Sequence, residues 1–274
     1  MKYIALVRYI AGETVSQKSI LILCSILTLL LVLFIFGIHV EGNKGIVHSF
    51  RILGGKPVSV GDGIQEIPVY AGIYTTFGFL TTVLLCLVAT AQVIPEALLN
   101  GGMLFFIAQP LSRAVILLGF YIGVVLPVAS IQIIFLGGFG IIFGLKAGAI
   151  TGGFFFCILP FIAVFCSMYA LVTLAAMLFR TAGIVNVVAL VHMLFLSGVL
   201  VNRERIVFSV IRNFGGRFIF DLLYYLLPQV SDLETSAANI LSGDKIILTP
   251  YLLSLTSSAI MLTLAIRVFR QMDL

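Results

Sequence analysis

The chain has 274 residues, of which 61% are hydrophobic and 10% charged, with 16 basic and 11 acidic side chains for a net charge of +5. An ordinary soluble domain carries about 25% charged residues, so this composition excludes one and describes an integral membrane protein. The positive excess comes without a basic run, which excludes nucleic acid as a partner and suits a protein held against anionic lipid headgroups.

Residues 2–17 divide cleanly on a helical plot at about 100° per residue. Tyr3, Ile4, Leu6, Val7, Ile10, Ala11, Thr14 and Val15 fall on one half, and Lys2, Arg8, Gly12, Glu13, Ser16 and Gln17 on the other. The pattern predicts an interfacial helix over 1–18, apolar face in lipid and polar face in water, ahead of a membrane domain over 19–274. A cleaved signal peptide competes with this reading, but the apolar run that follows is too long for one and no small-x-small cleavage site follows it.

Six apolar runs reach the ~20 residues needed to cross ~30 Å of hydrocarbon. They cover 20–38, 69–93, 115–143, 154–179, 183–201 and 247–266. The first contains fifteen Ile, Leu, Val or Phe residues, each contributing about −0.3 to −0.6 kcal/mol at mid-membrane, with no charge to oppose them. Cys24, Cys86, Cys157 and Cys166 all lie inside these runs, where a thiol behaves as a small hydrophobe and no zinc or disulfide spacing arises.

The connection over 39–68 is polar and glycine-rich, with Lys44, Arg51 and Lys56 offset by Glu41, Asp62 and Glu66. It is expected to be a compact extracytoplasmic loop. The second run carries Thr75, Thr76, Thr81 and Thr82, whose hydroxyls can bond to backbone or to a neighbouring helix.

The segment joining the second and third runs, 94–113, reads IPEALLNGGMLFFIAQPLSR and predicts a short helix lying across the membrane surface. Pro95 suits a first helical turn because its missing N–H would be unpaired there, and Glu96 complements the positive end of the helix dipole. Asn100, Gly101 and Gly102 loosen the backbone before a second apolar turn that starts at Met103, Leu104 and Phe105. Gln109 and Pro110 end that turn, Ser112 can cap the next helix, and Arg113 sits where a span should leave the lipid.

The third and fourth spans are joined around Leu145, Lys146 and Ala147 and so are expected to be antiparallel neighbours, with kinks at Pro127 and Pro160. Gly119 and Gly123, and the series Gly140, Gly144, Gly148 and Gly152, have the spacing that permits close helix approach. Helix packing accounts for them, since neither a Walker A pattern nor a G-x-G-x-x-G is present. In the long connection over 202–245, the stretch 205–227 alternates Arg205, Ser209, Arg212, Asn213, Arg217 and Asp221 with apolar residues at helical steps. That predicts an amphipathic helix dipping into the outer leaflet, broken at Gly215 and Gly216 and ended by Pro228.

With both termini on the cytoplasmic side, the inside segments hold Lys2, Arg8, Lys18, Arg113, Arg180, Arg267 and Arg270 against Glu13, Glu96 and Asp273. The other nine basic residues share the longer outside segments with eight acidic ones. The raw count of Lys and Arg opposes this orientation slightly; their density favours it.

No apolar run contains Asp, Glu, Lys or Arg. Ion-driven transporters and proton relays put such groups in mid-membrane, so energy, if used, is expected from outside the bilayer. Catalysis in this chain is not expected either: His192 stands in the fifth span with no carboxylate or cysteine at helical spacing, and no H-E-x-x-H or G-x-S-x-G occurs. The in-span polar residues Gln132, Ser167, Tyr169, Asn186 and His192 suit hydrogen bonds between packed helices, each contributing ~0.6 kcal/mol. Gln132, Asn186 and His192 are also candidates to line a shared route, although a spacing of six keeps Asn186 and His192 off one helix face.

Over nearly its whole length the chain resembles ABC type-2 transporter permeases, the membrane subunits of ATP-driven bacterial exporters, and in size the branch that matures multicopper enzymes. The residues that carry the likeness are 101–113, GGMLFFIAQPLSR, similar to the family's G-T-L-x-x-L-L-S-x-P-[hydrophobic]-S-R segment; Gly101, Pro110, Ser112 and Arg113 stand at its Gly, Pro, Ser and Arg. The ending FRQMDL, the amphipathic start and the long loop before the sixth span are similar too. Gly102 stands where Thr is usual, and Leu104 and Gln109 where charged residues are common.

The resemblance implies an all-α bundle of six spans in the bacterial inner membrane, with a cytoplasmic coupling helix resting in a groove of a separate ATPase subunit. Two permease copies and two ATPase subunits would make the particle. ATP and Mg would be bound by the ATPase, with no cofactor in this chain. Residues 95–108 would form the contact surface. A mechanical transmitter acting on an extracytoplasmic partner and a non-transporting assembly scaffold are the alternatives.

Overall fold

The computed structural model describes residues 2–43, 46–52, 58–59, 79–99, 102–107, 111–147, 152–211, 213–243 and 245–272. Among the described residues six helical stretches are long and apolar enough to cross a membrane: Lys18–Gly37, Thr82–Leu99, Arg113–Lys146, Gly153–Phe179, Ala182–Val201 and Thr249–Gln271. They form the bundle of a multi-pass membrane protein. Large side chains such as Leu21, Ile134, Phe195 and Leu255 point outward, at 55%, 73%, 69% and 70% exposure, as a lipid-facing surface requires.

The bundle is built around the third span and the fourth, helices Arg113–Ala147 and Ile158–Phe179. The fourth buries residues on all sides, among them Phe161, Phe165, Met168 and Tyr169, and packs against the third, fifth and sixth spans. Pro127 sits inside an unbroken helix, and Pro160 falls in the first turn of its helix, where an absent N–H has no partner to lose. The third span runs on through Leu145 and Lys146 to Ala147, so the turn expected there begins later, and 148–151 lie outside the described residues.

The small-residue spacing on the third span is used. A Cβ on Gly119 would lie 2.5 Å from Leu6, one on Gly123 2.7 Å from Ile10, and one on Gly140 3.0 Å from Phe154. The amino-terminal helix Lys2–Ser16 therefore lies directly on the third span. Its stripe of Leu6, Ile10 and Thr14 is buried there, so part of the half expected to face lipid faces protein. Ile4 and Val15 stay exposed.

The connection after the first span corrects the all-α expectation. Strands Ile38–Asn43, Ile46–Ile52 and Val58–Ser59 pair antiparallel in that order, with Val40 opposite Phe50, Asn43 opposite Ile46, and Phe50 opposite Val58. Ile38, Val40 and then Ile46, Phe50 and Ile52 alternate with polar residues at the period of two that favours strands.

The connection before the sixth span also differs from the single helix expected over 205–227. Arg203–Val210 and Phe214–Leu226 are separate helices, flanked by extended Ile211 and Asn213, with Asn213 accepting from the Gly215 N–H at 3.1 Å; the glycine pair lies in the first turn of the second helix. A third helix, Val230–Ser242, follows. Helices Phe214–Leu226 and Val230–Ser242 form a hairpin whose tip enters the bundle. His192, about halfway along the fifth span, meets the Pro228 carbonyl at 3.0 Å. Ser257 of the sixth span donates to the Leu226 carbonyl at 2.7 Å, and Ser197 and Ser231 share a hydrogen bond at 3.1 Å. Non-helical backbone at that depth is tolerated because protein, not lipid, surrounds it.

Gly123→Val should lower stability by about 1–3 kcal/mol through overpacking against Ile10, read as a lower melting temperature in detergent. Gly137→Ala, whose added carbon would lie 3.9 Å from Ile158, should leave the melting temperature unchanged.

Candidate functional site

Both termini and the 94–113 segment share one end of the bundle, hereafter the terminal face. The Gln92 amide donates to the Ser19 hydroxyl, joining the end of the second span to the start of the first. Arg113 Nη1 donates to the carbonyls of Phe269, Arg270 and Met272 at 3.0, 3.1 and 2.7 Å, and its guanidinium lies 5.9 Å from the Phe269 ring centroid. The last carbonyls of a helix have no intrahelical partner and carry its negative dipole end. Arg113 satisfies those of the sixth span.

Within the segment two short helices, Val93–Leu99 and Gly102–Ile107, follow the second span after a turn at Ala91 and Gln92. Pro95 is in the first turn of the first of them, and the Glu96 N–H is donated to Gln92 O at 2.9 Å. The first is less a detached surface helix than an extension of the span. It buries Val93, Ile94, Pro95 and Leu98 and exposes Glu96 and Leu99. In the second, Met103 and Phe106 are buried and Gly102 is exposed. Leu104 and Phe105 are helical in backbone; Asn100, Gly101 and Pro110 lie outside the described residues. Ser112 accepts from the Val115 N–H at 3.3 Å, the cap its position predicts.

The segment is seated by aromatic contacts. Phe106 meets Tyr9 of the amino-terminal helix edge-on at 5.7 Å and Phe120 of the third span at 5.9 Å. Between these elements opens a cavity of about 280 Å³, whose polar lining includes Glu13, Thr14, Gln17 and Glu96. Sequence reasoning placed Glu13 and Gln17 on the polar half of the first helix and missed that they line one cavity with Glu96; no periodicity within one helix carries that information.

The three candidate route residues are placed apart. Gln132 is fully buried on the third span beside Cys86 of the second, and neither amide atom has a hydrogen-bond partner. His192 is buried against the hairpin tip through Nε2, its Nδ1 unpartnered. Asn186 is half-buried near the terminal end of the fifth span with an unpartnered Oδ1. Among the described residues no hydrogen bond joins any two of them. Gln229, at the hairpin tip, is buried with both amide atoms unpartnered. It was not singled out in sequence because its position reads as the end of a loop.

The architecture is that of a six-span membrane protein with a helical appendage on the terminal face and a helical hairpin entering from the other. No protein-family model matches the chain and no curated protein matches it.

Arg113→Gln should cost about 1.5 kcal/mol, the low end for hydrogen bonds from a charged donor because the guanidinium is partly exposed. Amide exchange should then rise at 269–272 and stay unchanged in the fourth span.

Proposed function

We propose that the chain is the membrane subunit of an ATP-driven exporter of the ABC type, energised by a separate ATPase through the 94–113 segment. The observation that supports this most is the Arg113 contact. The segment is covalently continuous with the second span and, through three hydrogen bonds, non-covalently fixed to the end of the sixth. A partner that displaced the segment would act on two spans at once, which is what an energy-coupling element must do to bias two packings of a bundle. Glu96 and Leu99 project outward from it and are the groups available to such a partner. Pro95 and Met103, inside the 95–108 stretch that the resemblance makes the contact surface, are buried against the bundle. ATP and Mg belong to the partner in this reading, and a second copy of the chain completes the transport route.

One observation favours a second reading, in which the same cycle drives a partner at the opposite face. Helix Phe214–Leu226 leaves Phe214, Phe218, Leu222 and Tyr225 exposed at 83%, 58%, 52% and 53%, an apolar stripe at helical spacing. Substrate-stimulated ATP turnover in a purified particle would favour export over this mechanical role.

A photo-crosslinking residue at Leu99, introduced in the full chain in its own membrane, should capture a nucleotide-hydrolysing subunit, while the same residue at Leu255 on the lipid-facing side of the sixth span should not. Capture of no such subunit at Leu99 would refute the assignment.

A further inference from the structure

The cavity between the amino-terminal helix and the linker helices is rich in oxygen-bearing side chains. Its polar residues are Glu13, Glu96, Thr14, Gln17 and Tyr9. Thr14 is 1% exposed and its hydroxyl has no hydrogen-bond partner, and Gln17 Oε1 is buried and equally unpartnered. Among the described residues neither carboxylate has an ion pair or a hydrogen bond. The remaining walls are aromatic, from Tyr9, Phe106 and Phe120.

Buried oxygens left unpaired call for a donor, and two exposed carboxylates at the same cavity make it acidic and favour a cation there. The volume, about 280 Å³, is at the lower edge of the ~300–1,000 Å³ of small-molecule sites and has room for one long side chain. Among the described residues no group of three or more His, Cys, Asp or Glu comes together, so the lining lacks the nitrogen and sulfur ligands of a zinc-type site. Arginine fits better than lysine. Its planar guanidinium carries five N–H donors for these oxygen-bearing groups and stacks on aromatic faces, which an ammonium does less well. The lining points to a protein as its source: Tyr9, one of the residues around the cavity, is 58% exposed, and an exposed aromatic beside one anchored side chain suits a protein contact.

We propose that this cavity is a socket for an arginine side chain carried by the protein that docks on the terminal face. For the identity of that protein the inference rests on the ATPase reading above, and it names the contact by which the ATPase would be held. The amino-terminal helix then belongs to the docking site as much as the linker helices do.

The test uses the full chain in lipid nanodiscs with 13C-methyl labels on isoleucine and threonine, titrated with acetyl-arginine amide and with acetyl-citrulline amide, whose urea matches the shape of guanidinium without its charge. The Ile10 and Thr14 methyl signals should shift saturably with the arginine compound and at least about tenfold more weakly with citrulline. The Glu13→Gln/Glu96→Gln double variant should lose at least about tenfold in affinity for arginine while its unliganded spectrum stays wild-type elsewhere. No saturable shift, or an equal response to citrulline on the wild-type protein, overturns the socket. An ATPase that cross-links at Leu99 yet is retained equally by the wild type and the double variant overturns it too and leaves the coupling face standing. Loss of the Leu99 cross-link with the arginine response intact removes the ATPase and leaves the socket.

Discussion

The third span carries a cation at each end, and each cation closes the carboxyl end of a different helix. At the terminal face Arg113 donates to the last carbonyls of the sixth span; at the other face Lys146 donates to the Phe34 and Ile35 carbonyls of the first at 3.1 and 2.6 Å. Helix ends leave several carbonyls without partners, and at a bundle's rim water satisfies them only if nothing else does. Using side chains of one central helix turns that requirement into a frame, because the first, third and sixth spans can no longer slide independently. The amino-terminal helix, seated on Gly119 and Gly123, adds a fourth element to the same strut.

From this frame the two appendages acquire a physical relation. The linker helices reach the sixth span through Arg113, and the sixth span reaches the hairpin through Ser257 to Leu226 and through Tyr251 to Ser236 at 3.0 Å. On the fifth span His192 touches the same hairpin tip. The contacts are contiguous from one face to the other, so a displacement at the terminal face has a material route to the opposite side. The amides of Gln132 and Gln229 and the Ser254 hydroxyl, all buried, have no hydrogen-bond partner, so the packing at these places is not locked by hydrogen bonds.

Much of this was legible in the sequence. Six apolar runs, the helical split of residues 2–17, the Ser112 cap and the close approach at Gly119 and Gly123 are local or periodic signals, and local physics decides them. The strands at 38–59 were legible too, in the alternation of Ile38, Val40 and Phe50, but a glycine-rich composition masked it. Val230, Leu233, Ala237 and Ile240 spell a helix that the polar residues between them obscured. What periodicity cannot supply is which side chain meets which across long separations. Arg113 reads as a basic residue at a membrane boundary, yet its partners lie 156 to 159 residues away. Glu13 and Glu96 read as two solvated acids on separate elements, and only the fold makes them one lining.

In the proposed function, energy enters at the terminal face and is carried through the bundle. The most direct measurement of this is the distance between spin labels at Leu99 and Leu255 in the assembled particle, with and without trapped nucleotide. A distribution that differs between the two states is predicted; one distribution, unchanged by nucleotide, would contradict the account.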